Sequence, residues 1–498
     1  MASSFLANAA LPPVRTSATS RSLDPMRRRL AAALLLVGML PALPSAQPKP
    51  EYHLSLDQGR LLAAQALGNG KPELTLDLTK ALLRADRQDS LAWYLRAAAQ
   101  ARLNAAGAGR RSAARAYRFA PDSAGKFRAA QLAARLSVTE ERHTLAQIWL
   151  RRTAIHAPDE TSEERIAQDY KVLRRLNPWA FQLRGELRPS NNVNNGADST
   201  LEVIDGVPTL GRFGPRAVAL DGVVGVVDAS LSRRLHQTAT SRTTLSARAY
   251  VQRVALSSGA KAEAALLAQQ SGTTVPRNSE FGSTYGELAL SHGFAVGPAE
   301  KMGTAAVGVA LGSAWYGGDK SYDLMRLNAR RSWQLSAQNA LIVDVSGEQR
   351  FDPRSPAQDG QVYGLGLRLN RRLGNGDQLD VSLALRDTRA GHVNATSQTA
   401  TLRLGYKFAD AIGPARISTG LILGRTDYDQ YIAGFPARYL PDGREDTSIY
   451  ADLNIFFEDY DYAGFAPTLR LRAGKRDSNH SRFQSREVSV SLGIQSKF

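Results

Sequence analysis

The sequence has 498 residues, with 63 Lys and Arg, 46 Asp and Glu, and no Cys. Its 43% hydrophobic and 22% charged residues exclude an intrinsically disordered chain, and the lack of Cys excludes disulfide frameworks and thiolate metal sites. The net charge of +17 is spread along the chain without a basic block that contains aromatic residues, so we expect no nucleic acid partner.

Residues 1–46 have the pattern of a secretory signal peptide. Met26 is followed by three Arg, by an apolar run over 30–43 and by small residues that end at Ala46. We expect cleavage after Ala46, and Met26 is a second candidate start. The apolar run is shorter than the roughly 20 residues of a membrane-spanning helix, so a protein of several membrane helices is excluded.

Residues 51–176 predict short helices joined by short turns. The segment is rich in Ala, Leu and Arg, its apolar residues recur at three and four positions, and several recur 34 residues apart, the period of tetratricopeptide repeats. Its 21 basic and 14 acidic residues give a net charge of +7. We therefore expect a helical repeat domain (tetratricopeptide-like), with an ordinary helical bundle as the alternative.

From residue 177 to residue 498 the apolar period changes from helical to two. Runs of about ten residues alternate apolar with polar or small side chains, which is typical of transmembrane β-barrels. The pattern predicts fourteen antiparallel strands, at 180–189, 222–234, 243–252, 283–292, 303–315, 321–333, 340–350, 361–372, 378–388, 398–408, 415–427, 447–458, 467–476 and 487–498. A soluble β-sandwich would leave the apolar faces of these strands unexplained.

The connections between these strands alternate in length, and this alternation predicts the orientation of the barrel. Long connections at 253–282, 351–360 and 428–446 alternate with short turns at 374–377 and 410–414. Outer-membrane barrels have short periplasmic turns and longer outer loops. We therefore expect the helical domain and Phe498 on the periplasmic side. Aromatic residues of the loop at 428–446 are candidates for cargo contact or for an aromatic girdle: Tyr428, Tyr431, Phe435 and Tyr439.

Two groups of motifs give the barrel segment a family resemblance. The first group is Asn177-Pro178-Trp179 with the run Arg188-Pro189-Ser190-Asn191-Asn192-Val193-Asn194-Asn195-Gly196. The second group is Gly464-Phe465-Ala466-Pro467, Asp477-Ser478-Asn479 and the terminal Phe498. Together with the helical run at 146–152, these motifs resemble the surface lipoprotein assembly modulator (Slam) family.

The resemblance implies a function as well as a fold. Slam proteins carry tetratricopeptide-like periplasmic helices and a fourteen-stranded outer-membrane barrel, and they deliver particular lipoproteins or secreted proteins to the cell surface, a route called type XI secretion. It implies a protein cargo as partner, delivered with or without a periplasmic chaperone. The barrel pattern and the terminal Phe498 predict the lipid bilayer and the barrel insertion machinery as further partners. The Asn-rich run is then a candidate for gating or cargo contact, with a structural turn as the alternative.

No motif in the sequence predicts catalysis or a cofactor. It contains no G-x-S-x-G elbow, no H-E-x-x-H and no phosphate-binding loop, and its seven His have no metal-ligand spacing. Asp459 and Asp461 fit a solvated turn without a metal. We therefore expect neither an enzyme nor a metalloprotein. Besides a protein translocon, an exopolysaccharide export channel and a passive porin with a helical docking domain remain open.

Overall fold

A computed structural model describes residues 54–298, 303–433, 437–440, 442–460, 462 and 465–496. The signal segment at 1–46, Phe435, Asp461, Gly464 and Phe498 lie outside these residues. The chain divides into two compact units, Met1–Arg174 and Arg175–Phe498. Within the described ranges, no helix combines the length and the apolarity that crossing a bilayer requires.

The described part of the first unit is helical. Its helices are α1 (Leu56–Gly68), α2 (Pro72–Ala85), α3 (Ser90–Arg102), α4 (Ala106–Phe119), α5 (Ser123–Thr139), α6 (His143–Ala154) and α7 (Glu160–Leu176), the last of which ends in the second unit. Polar side chains fix the starts of several of them: Ser55 accepts a hydrogen bond from the Gln58 amide, and Asp89 accepts one from the Ala92 amide. The predicted helices are therefore present, while their tetratricopeptide character stays a prediction.

Small side chains allow these helices to pack closely. Four alanines of α5 are buried: Ala129, Ala130, Ala133 and Ala134. On α4, a Cβ at Gly109 would lie 3.0 Å from the carbonyl oxygen of Ala97 on α3, closer than an ordinary contact. Larger residues fill the gaps, as where Tyr117 meets Trp149 edge-on with 5.6 Å between the ring centroids. The Ala-rich composition thus sets the short distance between helices.

The second unit is a closed antiparallel barrel of fourteen strands, which confirms the predicted fold class. The barrel strands are β1 (Trp179–Ser190), β4 (Gly222–Gln237), β5 (Ser241–Leu256), β6 (Ser283–Val296), β7 (Gly303–Tyr316), β8 (Asp319–Gln334), β9 (Asn339–Phe351), β10 (Gly360–Arg372), β11 (Gln378–Ala390), β12 (Ser397–Lys407), β13 (Arg416–Tyr428), β16 (Arg444–Phe456), β17 (Phe465–Ser478) and β18 (Ser485–Ser496). Each pairs with the next in this order, and β1 pairs with β18.

Most observed strands are longer than predicted. Strand β5, predicted to end at residue 252, continues to Leu256, and β16 begins at Arg444 rather than at residue 447. These added residues lie at the end of the barrel where β1 ends. The backbone ladder continues there beyond the apolar band that produces the alternation, so the period alone could not locate the strand ends.

The connections differ between the two ends of the barrel. The loop end, where β1 ends, carries 191–221, 257–282, 352–359, 391–396, 429–443, 479–484 and the short turn 317–318. The turn end, where β1 begins, carries the others. The loop-end connections include two hairpins, β2 (Leu201–Ile204) with β3 (Val207–Arg212) and β14 (Ile432–Ala433) with β15 (Arg438–Tyr439), and one helix, α8 (Ser258–Ser271). The sequence pattern predicted none of these three elements.

Candidate functional site

The inner face of the barrel is lined by ion pairs that bridge neighbouring strands. Arg326 on β8 bonds to Glu287 on β6 and, at 3.3 Å, to Glu348 on β9. Arg326 on β8 bonds to a residue on β6, with β7 between the two strands. Because the wall is curved, such a contact forms on its concave inner side. Arg350 adds a 2.7 Å contact to Glu348, whose side chain is only 7% exposed. The interior of the barrel is therefore polar and charged.

The outer face of the same strands is apolar. Leu288, Leu311 and Leu327 lie on β6, β7 and β8, and each is at least 57% exposed. Polar inner and apolar outer faces alternate along each strand, as they do in a barrel that spans a lipid bilayer. The barrel therefore combines a polar inner face with a lipid-facing outer surface.

The first motif, Asn177-Pro178-Trp179, lies at the turn end where β1 begins. Asn177 is buried, and its Oδ1 accepts a 3.0 Å hydrogen bond from the Trp179 amide. The Pro178 carbonyl accepts a 2.7 Å bond from the Arg234 amide on β4. Trp179 is 42% exposed and has the Arg233 guanidinium 5.2 Å from its ring centroid. The motif thus fixes the start of β1 and leaves an aromatic ring at the position of an interfacial residue.

The Asn-rich run continues β1 at the loop end and folds into a tight turn. The Asn192 side chain accepts from the Gly196 amide at 2.8 Å and donates to the Gly196 carbonyl at 2.9 Å. Asn195 has a φ of 54°, a left-handed conformation that Asn tolerates. At Gly196 a Cβ would lie 2.2 Å from the carbonyl carbon and oxygen of Val218, so only Gly fits there.

Asn194 and Asn191 connect this turn to other parts of the chain. Asn194 accepts from the Leu220 amide at 2.9 Å and donates to the Val218 carbonyl at 2.7 Å. Asn191 crosses to β18, where it accepts from the Val488 amide at 2.9 Å and donates to the Arg486 carbonyl at 3.3 Å. The Asn191 amide thereby substitutes for one step of backbone pairing between the first and last strands.

The second motif, Ser478 and Asn479, lies at the same end. The Ser478 hydroxyl accepts a 3.1 Å bond from the His480 amide. The Asn479 side chain accepts from the Glu445 amide and donates to Asp205 in the β2–β3 turn, both at 2.9 Å. The structure therefore brings the Asn-rich run and the Ser478–Asn479 pair to one end of the barrel, although 274 residues separate Asp205 from Asn479 in the sequence.

The remaining described motif residues lie within the barrel strands β1 and β17. Pro189 lies within β1 opposite Val223 of β4. Phe465 begins β17 at the turn end and is 43% exposed, and Pro467 lies opposite Ile494 of β18. For Gly464 and Phe498, which lie outside the described residues, the expected roles stay predictions.

A buried arginine organises the loop end. The Arg444 side chain is 6% exposed and forms two bonds with Asp446, at 2.5 Å and 3.0 Å. Its guanidinium lies 4.1 Å from the ring centroid of Tyr428, 4.9 Å from that of Tyr431 and 3.2 Å from that of Phe483. Cations over aromatic faces are stabilised most when both are removed from water.

Apolar and polar contacts extend this group, which we call the loop-end cluster. Its core is Ile204, Tyr431, Ala433 and Leu440, with Tyr428 and Phe483 packed against them. Tyr431 is therefore a core residue. It is neither part of an aromatic girdle nor an exposed residue that could contact cargo. Tyr439 is 60% exposed and stays a candidate for cargo contact.

His480 joins the β17–β18 connection to the β2–β3 hairpin within this cluster. Its Nε2 lies 3.2 Å from a carboxylate oxygen of Glu202, and its Nδ1 is buried without a hydrogen-bond partner. Burial lowers the pKa of His480 below its usual value, although Glu202 acts in the opposite direction. The other ionisable groups around the ring are Tyr431, Arg444 and Arg482. The imidazole is therefore neutral near pH 7.

Sequence reasoning missed the chemical centre of this cluster, namely Arg444, Asp446, His480 and Glu202. Arg444 and Asp446 lie two residues apart on β16, but the rings Tyr431 and Phe483 around Arg444 and the Glu202 partner of His480 lie on separate connections, so no local spacing indicated the cluster. For α8 a local signal was present: the Ser257 hydroxyl caps its start, and Gly272 ends it in the left-handed conformation. Among the described residues, no group of three or more His, Asp or Glu could hold a metal ion.

A closed barrel with a polar lumen and an apolar outer face defines a β-barrel protein of the outer membrane. Residues 254–497 match the family described as surface lipoprotein assembly modifier. This match covers just under half of the chain and confirms the resemblance identified from the junction and C-terminal motifs. No curated relative matches the chain.

Several solved structures are similar to this chain at low identity and low TM-score. A bacterial polysaccharide outer membrane secretin is 10% identical, with a TM-score of 0.31, and the match covers 64% of this chain and 98% of that one. OccAB3 of Acinetobacter baumannii is 12% identical over 63% and 98% of the two chains, with a TM-score of 0.33. OprD of Pseudomonas aeruginosa is 10% identical over 63% and 94%, with a TM-score of 0.29.

Proposed function

We propose that this protein is an outer-membrane translocon that delivers specific lipoproteins or secreted proteins from the periplasm to the cell surface. The observation that carries the proposal is the family match over a closed barrel whose lumen is lined by charged residues. A polar lumen lets a polypeptide cross the bilayer without exposing its backbone to lipid. The family and fold are of an assembly or transport type rather than an enzyme type.

The helical unit supplies the second element of the proposal. We place it in the periplasm, where its surface binds the client, with or without a chaperone, before the client enters the lumen. Several large apolar side chains of these helices are exposed: Leu61, Leu74, Leu91 and Ile148. Exposed apolar residues beside a basic surface suit a client segment that is not yet folded.

Client folding outside the cell gives this transport its direction, because the periplasm holds no ATP to drive it. A client whose folding is blocked is expected to stall in the barrel. Full release of such a client would contradict this part of the proposal.

The proposal is tested by comparing a deletion strain with a matched complemented strain. The surface-shaved and secreted proteins of both are identified by mass spectrometry. We expect one or a few polypeptides to disappear from the surface of the deletion strain and to accumulate in its periplasm. Unchanged protein sets with reduced extracellular polysaccharide would favour an export channel, and unchanged sets with reduced solute uptake would favour a porin.

A further inference from the structure

The barrel is closed by an incomplete pairing between β1 and β18. On one side, β1 pairs with β4 along its whole length, from Trp179 to Ser190. On the other side, the pairing with β18 is confined to Glu186, Leu187 and Ser190, opposite Gly493, Leu492 and Ser489. All of these pairs lie in the half of the seam nearer the loop end.

The half of the seam nearer the turn end therefore has two unpaired backbone edges. They are the seam-facing sides of residues 179–185 of β1 and 494–496 of β18. Both segments pair on their other side, with β4 and β17, but no described residue pairs with them across the seam. Unpaired strand edges are templates for a further strand. Within a bilayer they are also costly, because lipid offers no hydrogen bonds to free amide and carbonyl groups.

The loop-end half of the seam is held by side chains as well as by the ladder. Asn191 bonds to the backbone of Arg486 and Val488, and Arg188 lies 3.3 Å from Glu487. The β1–β18 seam is thus hydrogen-bonded at the loop end and unpaired at the turn end. A strand reaches the free edge most directly from the turn end, which the proposed orientation places toward the periplasm.

The side chains at the free edge define what kind of strand fits. Phe181 and Leu183 point outward and are 65% and 59% exposed, so an added strand needs apolar residues on its outer face. On the inner face, a cavity of about 220 Å³ is lined by Arg184, Arg470 and Asn454 among others. Neither arginine forms an ion pair with a described carboxylate; Asp228, which lies opposite Arg184 on β4, bonds to Arg248 instead. Asp or Glu on the inner face of the added strand would supply that partner.

We propose that the free edge of β1 between Trp179 and Gly185 binds a β-strand of the client. This strand alternates apolar residues with acidic or polar ones and joins the wall as a transient additional strand while the client enters. The inference rests on the proposed translocon function and names the part of the client that the barrel recognises.

The first experiment probes the edge with a synthetic peptide on the purified full-length protein in detergent. The peptide has about ten residues that alternate Val with Asp or Thr, and it carries one Cys at an outward position. Because the chain has no Cys, Leu183→Cys introduces a single thiol at the free edge. Leu231→Cys is the matched control, since it is outward and exposed but lies on β4, which pairs on both sides.

We expect about tenfold more disulfide-linked peptide at Leu183→Cys than at Leu231→Cys, as edge recognition requires. Replacement of Asp by Lys in the peptide is expected to remove most of this difference, because Lys would face the two arginines. Equal yields at the two positions would overturn the proposal. Equal yields of the Asp and Lys peptides at Leu183→Cys would overturn the acidic specificity.

The second experiment tests the edge in cells by closing the seam with a disulfide. Gly185→Cys with Ile494→Cys extends the observed register by one step, and a Cβ at Gly185 has open space around it. Leu187→Cys with Leu492→Cys is the control, because these residues already pair. Surface display of the polypeptides that the deletion strain loses is measured before and after reduction.

We expect the first disulfide to lower surface display about tenfold, with recovery on reduction, while the control disulfide leaves it unchanged. Normal display with the first disulfide formed would overturn the edge inference and leave the translocon function standing. A deletion strain that loses no surface polypeptide would overturn the proposed function, and the client with it. The two failures are therefore distinguishable.

Discussion

The buried Arg444–Asp446 pair makes a quantitative prediction about the loop-end cluster. Arg444→Met keeps much of the side-chain volume but leaves the Asp446 carboxylate, 8% exposed, without its cation. Breaking a buried pair by removing one partner costs about 3–5 kcal/mol. Since about 1.4 kcal/mol is a factor of ten, opening of the cluster is expected to rise about 100- to 5,000-fold.

Arg425 and Asp427 provide a control for this change, because they form a similar Arg–Asp contact at 3.0 Å in a more exposed place. Their side chains are 56% and 38% exposed. Exposed ion pairs contribute only about 0–1 kcal/mol, so Arg425→Met is expected to change opening by less than about fivefold. The two variants lose the same charge. The sites differ in burial, in the three rings around Arg444, and in a second partner of Arg425, Glu445 at 3.2 Å, which is also exposed.

Hydrogen exchange of backbone amides in the purified protein measures this opening. The Leu440 amide, which donates to the Tyr431 carbonyl at 2.8 Å, reports directly on the cluster. The double variant Arg444→Met with Asp446→Leu is expected to regain most of the protection, because no buried charge is left unpaired. Equal protection in Arg444→Met and Arg425→Met would refute the reasoning.

Three further predictions concern the same end of the barrel. Gly196→Ala should expose residues 191–221 to protease, because its Cβ would overlap backbone, whereas Gly259→Ala, with no atom closer than 3.7 Å, should not. Asn191→Ala removes two hydrogen bonds across the seam and should lower barrel stability by about 1–3 kcal/mol, measured by urea unfolding in detergent; an unchanged midpoint would contradict this. Because the folded-state pKa of His480 is lowered from 6.5, stability of the cluster should fall as pH drops below 6.5. Hydrogen exchange between pH 7.5 and 5.5, corrected for intrinsic rates, should show this loss in the native protein and not in His480→Gln.

The period of apolar residues was sufficient to predict the barrel strands. The alternation at Val488, Val490 and Leu492 places apolar groups on one face, and a bilayer on one side of the wall requires that arrangement. Fourteen such runs gave fourteen observed strands. The signal is local, because each strand needs its own apolar face wherever its neighbours lie.

The motifs at the barrel junction were visible in the sequence, but their contacts were not. Asn192 and Gly196 form a local turn that the Asn and Gly content predicted. Asn191 bonds across the seam to residues 295 and 297 positions away, and nothing in the local sequence indicates that partner. The incomplete pairing between β1 and β18 also appears only when the barrel closes.

The sequence by itself determined the strand pattern, the change from helices to strands near residue 177 and the family resemblance. Tertiary structure alone decided the loop-end cluster. Glu202 and His480 meet there across 278 residues of sequence, and Arg444 is enclosed by rings from two connections, Tyr431 and Phe483. The physical reason is the range of the interactions. Alternation reflects the environment of each strand separately, whereas burial of a charge depends on which distant segments the closed barrel brings together.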